Sequence, residues 1–252
     1  MKIFSNLSIL LLVAILAFVS CAETLDSNGT DITDADADSV DNPGVQELVY
    51  FWFFSNELPN DTEMETIDAT FPSSSNAFIE YTSSLEGYPN TSRDGSMERR
   101  NMPTDINYRP GGNNNVDYEN AEGEMRAIQV RDPFVGSNGE NTMVFHLPTN
   151  GYRNVVFTLA AKDEDAAVGL IFDYSVSSAS PSWTTEGLSP AAINQDLITD
   201  EYRLFEIPFE GITEVNDNEN FKVRLRFETE DGQRNEGNRV TFNNVALDGV
   251  AL

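Results

Sequence analysis

Four arginines and three tyrosines fall within the stretch Leu85–Gly123: Arg93, Arg99, Arg100 and Arg109, with Tyr88, Tyr108 and Tyr118. No basic residue lies between Cys21 and Arg93, so positive charge first reappears inside this stretch. A guanidinium fork pairs bidentately with a carboxylate or a sulfate. An aromatic ring offers a flat apolar face on which the C–H side of a sugar ring can stack. Tyr88, Arg99, Arg100, Tyr108, Arg109 and Tyr118 are therefore the candidate ligand-binding residues, suited to a uronate or a sulfated glycan. The competing assignment is simpler. The chain holds 42 acidic residues against 15 basic ones, and these arginines would also pair with the carboxylates around them.

Other chemistry is thinner. His146 is the single histidine and Cys21 the single cysteine, so a zinc site built from several histidines or cysteines is excluded. No G-x-S-x-G elbow supports a nucleophilic serine. Carboxylates are so abundant that a glycosidase pair carries no signal of its own. Asp34-x-Asp36-x-Asp38 imitates the start of a calcium loop, but Ser39 and Val45 stand where such a loop needs Gly and Glu. The formal net charge of −27 argues against nucleic acid, because duplex binding needs Lys and Arg to replace phosphate counterions. The same charge supplies oxygen ligands that calcium would accept.

These residues must be positioned by strands. Leu48–Phe54 is nearly all aromatic or aliphatic and predicts a strand buried on both faces, with Trp52 in the core. Thr66–Phe71 and Ala77–Ser83 follow as short strands. Leu85–Gly123 shows no period and is crowded with Gly, Asn and Pro, which predicts a long irregular connection. Glu124–Val130, Asn141–Leu147, Tyr152–Lys162, Ala166–Val176 and Tyr202–Phe209 read as strands, with Ser177–Asp200 a second long connection. In Phe221–Phe227, Phe221, Val223, Leu225 and Phe227 alternate with Lys222, Arg224 and Arg226, giving one core face and one wet, positive face. In the last strand Val240 and Phe242 keep one phase while Val245 and Leu247 keep the other. That slip predicts a β-bulge at Asn243-Asn244. A turn at Asp231-Gly232 leads into this strand. Roughly ten strands without a useful helical period predict an all-β, antiparallel β-sandwich, a jelly roll, over residues 48–252.

The chain ahead of that domain reads as export signal and tether. Met1-Lys2 precedes an apolar run, Ile9–Val19, that suits a signal peptide and is too short to span a bilayer. Ala17-Phe18-Val19-Ser20-Cys21 resembles a bacterial lipobox, with Phe18 where Leu is usual. The resemblance implies cleavage after residue 20 and lipidation of Cys21, which would anchor the protein to a membrane without spanning it. Residues 21–47 hold the cysteine and an acidic linker, Ala22–Glu47, with eight acids and no base. Such a segment buries too little apolar surface to order itself. An acidic stretch behind a lipidated cysteine resembles surface-export signals of polysaccharide-degrading gram-negative bacteria, which implies an outer-membrane or cell-surface location.

The opening Tyr50-Phe51-Trp52-Phe53-Phe54-Ser55-Asn56 and the closing Gly237–Gly249 resemble the first and last strands of galactose-binding-like jelly rolls, a fold shared by many carbohydrate-binding modules. Asp173-Tyr174-Ser175 and Ser182-Trp183-Thr184 add to the likeness. The resemblance implies a polysaccharide ligand and a structural Ca²⁺ near the paired terminal strands. Asn243-Asn244 departs from the Asp-Asn common there, which leaves Glu57 and Asp248 as candidate metal ligands. The sequence reading is thus a lipid-anchored, surface or periplasmic polysaccharide-binding protein with possible surface protein partners. Two alternatives stand beside it: a jelly-roll lyase or glycoside hydrolase, and a structural or adhesion lipoprotein without a small ligand.

Overall fold

The computed structural model describes residues 44–89, 94–197, 200–229 and 238–252. Cys21, the export signal, the Asp34–Asp38 run, Arg93 and the Asp231-Gly232 turn lie outside the described residues. The strands are β1 (Gln46–Trp52), β2 (Thr66–Asp68), β3 (Phe78–Thr82), β4 (Met97–Arg100), β5 (Ala127–Arg131), β6 (Val135–Gly136), β7 (Gly139–Glu140), β8 (Thr142–His146), β9 (Tyr152–Glu164), β10 (Gly169–Ser175), β11 (Asn194–Asp196), β12 (Arg203–Pro208), β13 (Lys222–Glu228) and β14 (Arg239–Ala251). One sheet runs β12-β9-β14-β5-β4, with β1 also paired to β14; the other runs β11-β10-β13-β8-β3-β2. Every pairing is antiparallel. The expected antiparallel sandwich is what forms.

The core lies between these two six-stranded sheets, where alternate residues of each strand meet. Phe145 on β8 faces Phe157 on β9 with ring centroids 4.7 Å apart, and Phe227 on β13 meets Phe242 on β14 at 6.0 Å. Trp52 is fully buried, and its indole N–H donates to the Ile67 carbonyl at 3.1 Å. β1 feeds both of its faces: Val49, Trp52 and Phe54 enter the main core, while Phe51 and Phe53 join a second cluster. A register shift between Leu48 and Tyr50 lets that odd spacing work. β1 also starts earlier than Leu48, because Gln46 and Glu47 pair with Val250 and Gly249 at the end of β14.

The bulge predicted in β14 is present. Register against β9 breaks between Asn243 and Ala246, and Asn244 sits at φ 46°, a left-handed conformation that asparagine tolerates better than a branched residue. It keeps Val240, Phe242, Val245 and Leu247 all in the core despite their mixed phase.

The Leu85–Gly123 stretch departs from the expectation of an irregular loop. It contains β4, a 3-10 turn at Pro110–Gly112 and a short helix α1 (Tyr118–Ala121). β4 was hidden because Met97-Glu98-Arg99-Arg100 has a single apolar residue, and edge pairing with β5 supplies what its own pattern lacks. The second long connection, Ser177–Asp200, likewise contains a short helix α2 (Pro190–Ile193) and β11. Ser189 caps α2, accepting from the Ala192 N–H.

Candidate functional site

The outer face of the first sheet gathers polar side chains from four strands, β4, β5, β14 and β9, into rows. Strand alternation turns Val240 and Phe242 inward, so Arg239 and Thr241 point out. Cross-strand register then sets Arg131, Arg239 and Glu164 side by side, and sets Glu98, Gln129, Thr241 and Lys162 in the next row. Arg100 reaches in from β4.

The contacts are shared. Arg100 donates to Gln129 Oε1 at 3.1 Å and to Glu164 Oε1 at 2.7 Å. Arg239 donates to the same Gln129 oxygen at 3.3 Å and lies 4.0 Å from Glu164 Oε2, which also accepts from Thr241 at 3.5 Å. Glu98 accepts from Ser96 at 2.8 Å and from Gln129 Nε2 at 3.3 Å, with Arg131 at 3.9 Å. The Nε of Arg131 is buried and makes no hydrogen bond among the described residues. Lys162 lies with its ammonium 5.8 Å from the centroid of the Tyr202 ring.

Four cations, Arg100, Arg131, Arg239 and Lys162, gather on this face beside Glu98 and Glu164, in a chain of net charge −27. Burial pulls the Arg239 guanidinium below its ordinary value, and the neighbouring charges of Arg100 and Arg131 add to that. Burial likewise pushes the Tyr202 phenol well up, opposed by Arg100. A partly buried cluster of like charges raises the local positive potential, which favours a nearby anion.

One wall of this face is made by residues 101–108, laid over the sheet. Asn243 and Tyr202 both donate to the Met102 carbonyl, at 3.2 and 2.8 Å. Asn244 Nδ2 donates to the carbonyls of Thr104 and Ile106 at 2.8 and 2.9 Å. Asn107 donates to Thr158 Oγ1 at 3.1 Å and also to the Asn244 carbonyl. The two asparagines of the bulge thus fasten the wall.

The structure separates the six candidate ligand residues. Arg100 belongs to the cationic face, and Tyr118 lies close enough to Tyr202 to influence its phenol. Arg99 turns away, because adjacent strand residues point to opposite faces; it donates to the carbonyls of Asn56 and Leu58 at 2.9 and 2.7 Å. Tyr88 packs edge-on against Tyr81 and donates to the Met64 carbonyl at 2.5 Å. Tyr108 sits in the second cluster, edge-on to Phe51, Phe53 and Tyr118 at 6.2, 6.3 and 5.7 Å. Arg109 pairs with Asp248 at 2.9 Å. Lys162, Glu164, Gln129, Arg131, Tyr202 and Arg239 were missed. The signal for Gln129, Arg131 and Arg239 was available as the polar phase of their strands.

The calcium expectation on Glu57 and Asp248 gains no ligand set here. Asp248 is engaged by Arg109, Glu57 is exposed, and among the described residues no group of three or more His, Cys, Asp or Glu could hold a metal ion. At the bulge an amide nitrogen of Asn244, rather than a carboxylate oxygen, meets the Thr104 and Ile106 carbonyls. Glu57 instead borders a cleft of about 260 Å³ with Phe53, Leu58, Thr66, Asp68 and Thr70, whose charged lining groups are both acidic.

No family model and no curated protein matches the chain. Among solved structures it is similar to the enzymatically active domain of bacteriophage CBA120 tailspike protein 4, at 10% identity and a TM-score of 0.39, covering 70% of this chain and 19% of that one. It is similar to the K1 cleaved adhesin domain of Lys-gingipain from Porphyromonas gingivalis W83, at 10% identity and a TM-score of 0.39, covering 81% and 98%. It is also similar to the CBM22-1–GH10 modules of Clostridium thermocellum xylanase 10B complexed with xylohexaose, at 10% identity and a TM-score of 0.34, covering 61% and 24%. The chain spans about a fifth of the tailspike chain and about a quarter of the xylanase chain.

Proposed function

We propose that this protein is a lipid-anchored polysaccharide-binding protein of a gram-negative outer membrane or cell surface, and that it takes an acidic glycan on the outer face of its first sheet. The observation that carries the reading is the clustering of cations there: Arg100, Arg131, Arg239 and Lys162 share one sheet face of a strongly acidic chain. A uronate carboxylate or a sulfate would add negative charge beside these cations. Net negative charge elsewhere keeps the protein from adsorbing to anionic surfaces at large, so affinity must come from this local field.

The test is affinity gel electrophoresis of the full chain in gels cast with polygalacturonate, dextran sulfate or neutral xylan. Acidic polymers should retard it, xylan should not, and added salt should weaken the retardation. Losing one charged hydrogen-bond partner removes about 1.5–3 kcal/mol, so Arg239→Ala should weaken binding roughly tenfold or more. Equal retardation by xylan and polygalacturonate, or none by any polymer, would overturn the reading. Release of unsaturated or reducing ends in the same incubations would move the protein to the lyase or hydrolase class. Anchoring at Cys21 is tested separately: Cys21→Ser should leave the protein in the soluble fraction, and membrane retention would refute it.

A further inference from the structure

The outer face of the second sheet carries a different arrangement, one that the cationic site does not use. β13 turns Lys222, Arg224 and Arg226 outward, and register places them beside Asp173 on β10 and beside Val144 and His146 on β8. Asp173 is almost fully buried and takes Arg224 in a two-point fork, accepting from Nε at 2.9 Å and from Nη2 at 2.6 Å. The guanidinium so fixed lies 4.5 Å from the centroid of the Trp183 ring. Trp183 stands in an extended segment that Thr184 ties to Tyr174 by two backbone hydrogen bonds, of 2.9 and 3.0 Å. The backbone is thus fixed beside it and a pinned cation lies over the ring, while the Trp183 side chain is half-buried.

A buried carboxylate, a pinned guanidinium and a partly exposed indole are more than packing requires. Trp52 shows what a purely structural tryptophan looks like in this chain: fully buried, with its N–H satisfied. Beside the platform, Arg226 is held loosely, at 3.4 Å from Asp173 and 3.6 Å from Glu140, and its buried Nε makes no hydrogen bond among the described residues. Along the same face, Phe78 and His146 stack nearly parallel at 3.9 Å and 12°. Phe78 lies on β3, two strands from β13, which is about 10 Å at ordinary strand spacing. Two flat aromatic surfaces thus flank a strip of donors on one sheet face.

We infer that this face is a second glycan-binding surface, with Trp183 as the platform for the C–H side of a pyranose ring and with Arg226 and Lys222 as donors to its hydroxyl or acid groups. The inference rests on the reading that the protein binds an acidic polysaccharide. It adds that one chain of this protein grips the polymer on both sheets, so that affinity for long polymer exceeds affinity for a short oligomer through multivalency. Preorganisation of the indole by Arg224 and Asp173 lowers the ordering entropy lost on binding.

The two tryptophans make the test direct. In Trp52→Phe, Trp183 is the sole indole reporter. Titration with a galacturonic acid hexamer should change its fluorescence and protect it from acrylamide quenching. Calorimetry should count two hexamers per chain for wild type, one for Trp183→Ala and one for Arg239→Ala. Trp183→Tyr, which keeps a ring, should retain part of the binding and guards against a folding artefact. Unchanged Trp183 emission, with one hexamer bound and lost in Arg239→Ala, would overturn the second surface and leave the first intact. Two hexamers retained in Trp183→Ala would overturn it equally. Binding of the hexamer lost in Trp183→Ala but untouched by Arg239→Ala would instead overturn the first site and keep this one.

Discussion

Asn141→Ala is expected to destabilise the domain by about 3 kcal/mol, for reasons that can be worked out atom by atom. Asn141 lies between β7 and β8 and is almost fully buried. Its Oδ1 accepts from Ser84 Oγ and from the Phe134 N–H, both at 2.8 Å; its Nδ2 donates to Tyr81 Oη at 2.6 Å and to the Gly95 carbonyl at 3.0 Å. Removing the amide does not orphan every partner. The Gly95 carbonyl still accepts from Tyr81 and Ser83, at 2.6 and 2.7 Å. The Ser84 hydroxyl and the Phe134 N–H lose the acceptor they shared. An unsatisfied buried donor costs about 1–3 kcal/mol, and the serine can rotate to recover part of its share, which gives the figure above. With a urea slope of roughly 2 kcal/mol/M the midpoint should fall by about 1.5 M. Asn141→Asp should do worse at neutral pH, because it sets a buried carboxylate against the Gly95 carbonyl. It should recover relative to wild type in mild acid, where the carboxyl is protonated. Because Gly95 leads into β4, the same variants should weaken glycan retardation through Arg100. A midpoint shift equivalent to less than about 1 kcal/mol for Asn141→Ala would refute the account and leave β4 held by its ladder with β5 alone.

Three further outcomes are expected. Gly112→Ala would set a Cβ 2.5 Å from Cδ1 of the fully buried Phe51 ring, so it should cost roughly 1–3 kcal/mol in urea unfolding; a neutral result would mean the 110–112 turn shifts freely. Burial lowers the His146 pKa below 6.5, Lys222 adds to the lowering, and Glu80 opposes both. The fold therefore favours neutral His146; that stability is complete above pH 6.5 and is lost as pH falls through the folded-state value, so His146→Gln should flatten the urea midpoint against pH there, and an unchanged slope would refute it. Tyr202→Phe removes the hydroxyl that donates to the Met102 carbonyl, so amide exchange across residues 101–108 should quicken while global stability drops by about 1 kcal/mol; unchanged exchange would show that Asn243, Asn244 and Asn107 fasten the wall unaided.

Much of the fold was legible from the residues alone, because a strand half-buried in a sandwich must alternate. Phe221–Phe227 announced its core face and its wet, positive face without help. The slip from Val240 and Phe242 to Val245 and Leu247 located the bulge, since a change of phase within one strand has few other causes. The placing of Trp52 in the core followed from the apolar run around it. β4 was not legible: Met97 alone marks its inner face, and its partner β5 decides that it is a strand.

The site divides along the same line. Alternation says that Glu98 and Arg100, Gln129 and Arg131, and Arg239 and Thr241 each point away from a core residue. It says nothing about which strand lies beside which. The order β4-β5-β14-β9 is fixed by how the two sheets close over one core, and that order alone brings Arg131, Arg239 and Glu164 into one row. The sequence grouped Arg99 with Arg100 because they are neighbours, and the pleat set them on opposite faces. Residue type and phase are local properties that the chain carries in its own pattern. Adjacency across a sheet is a global one, decided only when the hydrophobic faces are buried together.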